Sequence, residues 1–129
     1  VLGSSIMGLE DHTPENIDEV IDWAVSHDTV FHQFMLYTPL PGTALYESHL
    51  RNGSILPDSE FDSADINGQY KFNYVHEHIR DGQETEFLLR AFRRDFAING
   101  PSLTRMIKMM LEGLQISLNN IFGKYNTSK

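Results

Sequence analysis

Two apolar runs, each closed by a glycine or proline turn and separated by one helical pattern, constrain this chain more than any other feature. The first run covers residues 1–9 and ends at Gly8; the second covers residues 30–37. Between them Thr13 suits a helix N-cap, Pro14 the first helical position and Glu15 the first turn. Ile17, Val20, Ile21, Ala24 and Val25 then recur at helical spacing, with Asp18, Glu19 and Asp22 on the other side and a stop near His27 and Asp28. The second run carries Val30, His32, Phe34 and Leu36 on one face and Phe31, Gln33, Met35 and Tyr37 on the other. Both faces are largely apolar, which suits a parallel strand covered on both sides. Strand, helix and strand with short links make a βαβ unit, in which ligands bind at the carboxyl ends of the strands.

The remainder reads as a loop and helices. After Thr43 a short helix passes through Leu45, Tyr46 and Leu50 and stops at Asn52-Gly53. Residues 54–70 are rich in Ser, Asp, Asn, Pro and Gly and predict a long irregular loop, of the kind that forms lids. Residues 71–79 alternate Phe72, Tyr74 and His76 with Asn73, Val75 and Glu77, which predicts a strand. Asp81 with Glu84 three residues on resembles a capping box for a helix ending at Asn99-Gly100. A last helix starts at Pro101-Ser102 and carries a long stripe (Leu103, Met106, Ile107, Met110, Leu111, Leu114, Leu118, Ile121, Phe122) before a polar tail from Gly123. The fold class is therefore α/β: part of a (β/α) barrel with parallel strands, followed by a helical extension. Residues 1–53 supply the βα units, 54–82 a loop and possible strand, and 83–129 the helices. Two or three strands cannot close a barrel, which takes about eight. Open sheet edges and the absence of an initiator Met lead us to expect a segment of a longer protein, and exposed edges predict self-association of the isolated segment.

Composition excludes some classes. The 129 residues contain no cysteine, so disulfides and thiolate metal sites are absent, and a reducing, cytoplasmic location is the expectation. There is no basic leader at the start and no apolar run long enough to span a membrane. The net charge of −8 lies entirely in residues 1–50, which hold eight acids and neither Lys nor Arg. That argues against a grip on nucleic-acid phosphates.

Chemistry can reside in the two strand-end loops. Gly8 lacks a β-carbon, so a flat ligand or another backbone can approach it. Glu10, Asp11 and His12 follow, able to accept hydrogen bonds from ribose hydroxyls, bind a metal, or simply form a polar turn. In the second loop Pro39 and Pro41 fix two φ angles and remove two N–H donors, Gly42 permits a reversal, and Thr43 can cap the next helix. The outcome is a stiff loop whose carbonyls can read a purine amino group, or merely a rigid turn. Elsewhere, His76 and His78 share one face of the expected strand at a spacing that can bind metal and would suit a metal-dependent hydrolase. Arg90, Arg93, Arg94, Arg105 and Lys108 form a basic zone, read as a solvated helix face. Met106, Met109 and Met110 lie among leucines and read as core, or as an adaptable docking surface. Trp23 is expected to pack against the sheet or a neighbour.

The two loops together resemble the C-terminal half of radical S-adenosylmethionine (SAM) enzymes, in particular those with a cobalamin-binding domain before the barrel. In that family one strand ends in a pattern like GLPGETPE; Gly8-Leu9-Glu10-Asp11-His12-Thr13-Pro14-Glu15 matches at the first two and last three positions. The looser pattern GxIxGxxE maps onto Ser4, Ile6, Gly8 and Asp11, with Ser4 replacing Gly and Asp11 replacing Glu. The next strand of the family ends in TPLPGT, matched in full by Thr38-Pro39-Leu40-Pro41-Gly42-Thr43. Asn99-Gly100-Pro101-Ser102-Leu103-Thr104-Arg105 is similar to a C-terminal stretch of the class.

The resemblance implies that Gly8, Leu9 and Glu10 lie near the adenine and ribose of SAM, and that Tyr37, Thr38, Pro39 and Leu40 contact the adenine. It also implies a 4Fe-4S cluster, held by a CxxxCxxC motif that this sequence lacks, and leaves cobalamin as an option upstream of residue 1. Its partners would be the earlier part of its own chain and a small-molecule substrate, and the segment alone would be catalytically inactive. A different reading is a non-catalytic interaction module that uses the Met-rich last helix.

Overall fold

The computed structural model describes residues 2–57 and 70–126. Most of the irregular loop expected over 54–70 lies outside the described residues, as do the last three positions. The elements in order are β1 (Leu2–Met7), α1 (Ile17–Val25), β2 (Phe31–Leu36), α2 (Ala44–Arg51), α3 (Gln83–Asn99) and α4 (Ser102–Asn126). The fold is mixed α/β: two parallel strands followed by helices, with no closed barrel among the described residues.

β1 and β2 pair in register from Leu2 opposite Phe31 to Met7 opposite Leu36. Registered partners share a face, so Gly3, Ser5 and Met7 lie beside His32, Phe34 and Leu36. This face meets the core, where Met7, Phe34 and Leu36 pack with Ile17, Ile21, Ala24 and Val25 of α1 and Phe87, Leu88 and Ala91 of α3. Phe92 of α3 adds an edge-to-face contact on Phe34, with ring centroids 5.2 Å apart. The opposite face is bare among the described residues: Leu2, Ile6 and Phe31 are all exposed. The expectation of a sheet covered on both sides is thus met on one side only, because α1 and α3 both lie on the same face.

α1 begins three residues later than a Thr13 cap predicts, with Asn16 at the N-cap position and no side-chain cap bond, so Pro14 and Glu15 lie in a preceding turn. Thr13 Oγ1 accepts from the N–H groups of Glu15 and Asn16, and Asn16 Oδ1 returns a bond to the Thr13 N–H at 2.8 Å. The regular helix then starts at Ile17, and Asp28 closes its C-terminal turn at φ 45°. α2 is capped by Thr43, whose Oγ1 accepts from the Tyr46 N–H.

The acidic side of α1 and the basic side of α3 face each other. Arg90 pairs with Asp18 at 2.9 Å and Arg94 with Asp22 at 2.6 Å. Two arginines of the basic zone, expected on a solvated face, are therefore partnered across a helix interface. Both pairs are exposed and screened by solvent, so they set alignment more than stability. The junction of α3 and α4 is held more firmly. Asp95 and Arg105 form a buried pair at 2.7 Å, Arg105 also donates to the Thr29 carbonyl, and Asn99 donates to the Val25 carbonyl at 3.0 Å. Gly100, at φ 75°, makes the reversal between the helices. The Asn99 to Arg105 motif is thus a clasp at the end of the sheet opposite the strand-end loops.

Four further expectations need correction. Residues 71–79 are not a strand: the Tyr74–Ile55 bridge is isolated, and Phe72, Asn73, Tyr74 and His76 are all buried. Asp81 does not cap α3, because it sits at φ 57° and the left-handed Gly82 takes the cap position with no side-chain bond. The stripe on α4 is not core: Leu103, Met110, Leu111, Leu114 and Phe122 are each about 60 % exposed or more. The helix also runs three residues past Gly123, into the segment expected to be a polar tail. No helix among the described residues is long and apolar enough to cross a membrane.

Candidate binding site at the strand ends

Because β1 and β2 are parallel neighbours, their carboxyl ends emerge side by side. The Tyr37 N–H donates to the Met7 carbonyl at 2.7 Å, so the two loops start from one hydrogen bond. Above it lies an open cleft of about 430 Å³ lined by Leu9, Glu10 and Asp11 from the first loop, Tyr37 from the second and Leu45 from α2.

The first loop is held from within. Gly8 is at φ 78°, and a β-carbon there would stand 2.3 Å from the Phe72 ring. The space expected for a ligand or a foreign backbone beside Gly8 is taken by the chain's own Phe72. Both backbone polar groups of Gly8 are also used: its N–H donates to His12 Nδ1 at 3.0 Å and its carbonyl accepts from the Tyr74 hydroxyl at 3.0 Å. The Leu9 N–H reaches the same His12 nitrogen at 3.3 Å, and the Leu9 carbonyl meets His76 Nε2 at 3.0 Å. Gly8 therefore shapes the loop, while the exposed Leu9, Glu10 and Asp11 present it to the cleft.

Pro39 of the second loop is buried, and its carbonyl accepts from Asn73 Nδ2 at 2.8 Å. The Leu40 carbonyl accepts from the Thr43 N–H and hydroxyl. The expectation of outward carbonyls is corrected at both positions. Thr38 is half-buried, with its hydroxyl donating to the Leu36 carbonyl, and Leu40 is exposed. Tyr37 offers its ring to the cleft. Burial, and then the Glu10 carboxylate, push its phenol above the ordinary value, so it stays a hydrogen-bond donor.

His76 is not poised for metal. Its Nδ1 accepts from the N–H groups of His78 and Ile79, both at 3.0 Å, so its Nε2 carries the proton given to Leu9. Both ring nitrogens are occupied, and no group of three metal-capable side chains exists among the described residues. The hydrolase reading is withdrawn on this geometry. His12 accepts two N–H groups at Nδ1 in the same way, and burial lowers its pKa in keeping with a neutral ring.

The sequence reading missed Leu45 as a cleft wall, and missed His12, Phe72, Asn73 and Tyr74 as anchors. The alternation of aromatic and His residues over 72–76 was the available signal, and it marks a buried segment rather than a strand. A larger cleft, about 590 Å³, lies along the outer edge of β1 against Val20 and Trp23 of α1. Trp23 borders it and is exposed. This groove runs beside the unpaired edge of β1 and reaches Leu9 and His12 of the first loop.

Chemically, the strand-end cleft joins an apolar surface (Leu9, Tyr37, Leu45) to two carboxylates (Glu10, Asp11). A flat ring suits the first; hydroxyl groups and a positive charge suit the second. Over 55 residues, 43% of its length, the chain is 40% identical to an uncharacterized methyltransferase of Pyrococcus horikoshii, of which that stretch spans 12%. No protein-family profile and no solved structure matches the chain.

Proposed function

We propose that this chain supplies the SAM-side rim of a SAM-dependent enzyme of the radical SAM type, and that it acts as the C-terminal part of a larger catalytic unit. The observation that carries this reading is the convergence of the Gly8 and Pro39 loops on one cleft at the carboxyl ends of adjacent parallel strands. The similarity to a methyltransferase supports it, since methyl transfer commonly draws on SAM. In this reading the elements β1 to α2 form the binding rim, and α3 and α4 belong to the substrate-side extension.

The residues present fit SAM. Leu9, Tyr37 and Leu45 offer the purine an apolar flank that Thr38 and Leu40 extend along the second loop, while the buried Pro39 and Gly8 fix the two loops from beneath. Glu10 and Asp11 suit the ribose hydroxyls and the positive charges of the methionyl part. SAM, when bound, provides the methyl or adenosyl group; these side chains bind and orient it, and none is assigned a bond-making role. The residues do not fit a 4Fe-4S cluster, because the sequence holds no thiolate. Cobalamin, if the enzyme uses it, is assigned no residue here. The remaining partners of this reading are the rest of the catalytic unit and a small-molecule substrate.

The test is titration with S-adenosylhomocysteine, which keeps the nucleoside and lacks the reactive sulfonium. Glu10→Gln should weaken binding by about tenfold, as expected for loss of a charged hydrogen-bond acceptor. Undiminished binding by Glu10→Gln with Tyr37→Ala would contradict the assignment. The 129-residue chain should release no 5′-deoxyadenosine from SAM under reducing conditions, and its release would contradict the reading of this chain as a rim. A second reading, an interaction module built on α4, draws on the exposed stripe of that helix. It requires no nucleoside binding.

A further inference from the structure

One short segment, far along the chain from both strand-end loops, touches each of them. The Phe72 ring fills the space beside Gly8, the Tyr74 hydroxyl bonds the Gly8 carbonyl, and His76 bonds the Leu9 carbonyl. Between them in sequence, Asn73 bonds the Pro39 carbonyl of the other loop. Tyr74 also meets the Tyr37 ring edge-on at 5.6 Å, and Phe72, Tyr74 and His76 lie against one another with centroids 5.1–5.9 Å apart.

We propose that residues 72–76 are a positioning brace that fixes the separation of the two loops, with Asn73, Tyr74 and His76 as positioning residues for the nucleoside cleft. The inference rests on the cleft being a nucleoside site, but the brace itself is a separate claim about the loops. The geometry favours a brace over simple burial for a stated reason. A buried aromatic segment needs only apolar neighbours, whereas this one spends three polar side chains on three backbone carbonyls, two in one loop and one in the other. Leu9 is in the cleft wall, Gly8 adjoins it, and Pro39 lies two residues beyond the wall residue Tyr37. The local backbone around Ile55 anchors the brace in turn, through the Leu56 N–H to Asn73 carbonyl bond at 2.9 Å and the Val75 N–H to Ser54 carbonyl bond at 2.7 Å. His12 completes the arrangement from the α1 side by accepting the Gly8 and Leu9 N–H groups. The peptide that carries Leu9 into the cleft is thus gripped from both directions.

A brace shared by two loops makes a specific demand. Removing a bond to one loop should loosen the other, because both are referred to the same five residues. The experiment is amide hydrogen exchange on the 129-residue chain, read by NMR at Gly8, Leu9 and Tyr37, with S-adenosylhomocysteine titrated into each variant. Tyr74→Phe removes one hydroxyl and keeps the ring. Asn73→Ala removes the bond to Pro39 and leaves the Gly8 loop untouched. We expect each to accelerate exchange at Gly8 and Leu9 by about fivefold, the size of one ordinary hydrogen bond, with the amides of α1 and α3 unchanged. The dissociation constant for S-adenosylhomocysteine should rise by a similar factor. His12→Ala should accelerate exchange likewise, and His12→Asn, which keeps an acceptor near the Nδ1 position, should restore it. Unchanged exchange at Gly8 and Leu9 in Asn73→Ala would overturn the brace, since that variant reaches the first loop only through the shared segment. Accelerated exchange with no nucleoside binding in any form would leave the brace standing and remove the cleft assignment. Binding by the unaltered chain that neither Tyr74→Phe nor Asn73→Ala weakens would overturn the positioning role.

Discussion

Gly8 illustrates how much of a residue's role depends on what the rest of the chain brings to it. Its place after an apolar run marks a turn, and the turn is there. What fills the space beside it is Phe72, a contact between positions 64 apart that no local pattern encodes. Gly8→Ala combines a positive φ with a clash against an aromatic ring. It should destabilise the fold by about 2 kcal/mol or more in denaturant titration, and Phe72→Leu should recover part of the loss. An Ala variant as stable as the parent would contradict this packing. The histidines make a second prediction. Burial is the main cause holding His12 and His32 below the ordinary value of 6.5. As pH falls, the unfolded chain takes up these protons first, so their contribution is whole above about 6.5 and is lost through the interval beneath it. The melting temperature should drop between pH 7.5 and 5.5, and His12→Asn, which cannot take up the proton, should make that drop shallower. An equal drop in His12→Asn would remove His12 from the account.

At the scale of elements, helices and strands were legible where several local signals agreed. β1, α1, β2 and α2 follow the expected runs to within a few residues, because apolar spacing, caps and turn residues agree there. Residues 71–79 misled because alternation of large rings normally means a half-buried strand, whereas here the intervening Asn73 is also buried and bonded. The N-terminus of α3 misled because backbone shape at Asp81 and Gly82 supplies the start that a capping box would have given. Asn99 to Arg105 was legible as a motif but not as a clasp, since its partners are the carbonyls of Val25 and Thr29. The two kinds of ion pair should behave differently. Asp95→Asn leaves the nearly buried Arg105 charge without its carboxylate and should cost about 3 kcal/mol or more, while Arg94→Ala, which breaks an exposed pair, should cost far less. Thermal or urea unfolding of both variants checks the contrast, and equal losses would contradict the burial argument.

For the whole molecule, the distribution of apolar surface is the main finding. One sheet face and the long stripe of α4 carry large exposed side chains, more than a lone domain of this size ordinarily shows. We expect self-association of the isolated chain, led by α4. Replacing Leu111 and Leu114 with Lys should shift it toward monomer in sedimentation velocity, with helix content unchanged. A parent chain that is already monomeric at high concentration would contradict that expectation. The candidate site was legible as a pair of loops, since glycine and proline punctuation is local. Its depth and supports were not, because they come from residues 72–76. The central claim is that the loops act together on a nucleoside, and amide shift mapping during S-adenosylhomocysteine titration tests it most directly. Binding in the strand-end cleft predicts saturable shifts at Glu10, Tyr37 and Leu40 with Ser4, Val20 and Trp23 undisturbed; shifts confined to the groove between β1 and α1, or none at saturating ligand, would contradict it.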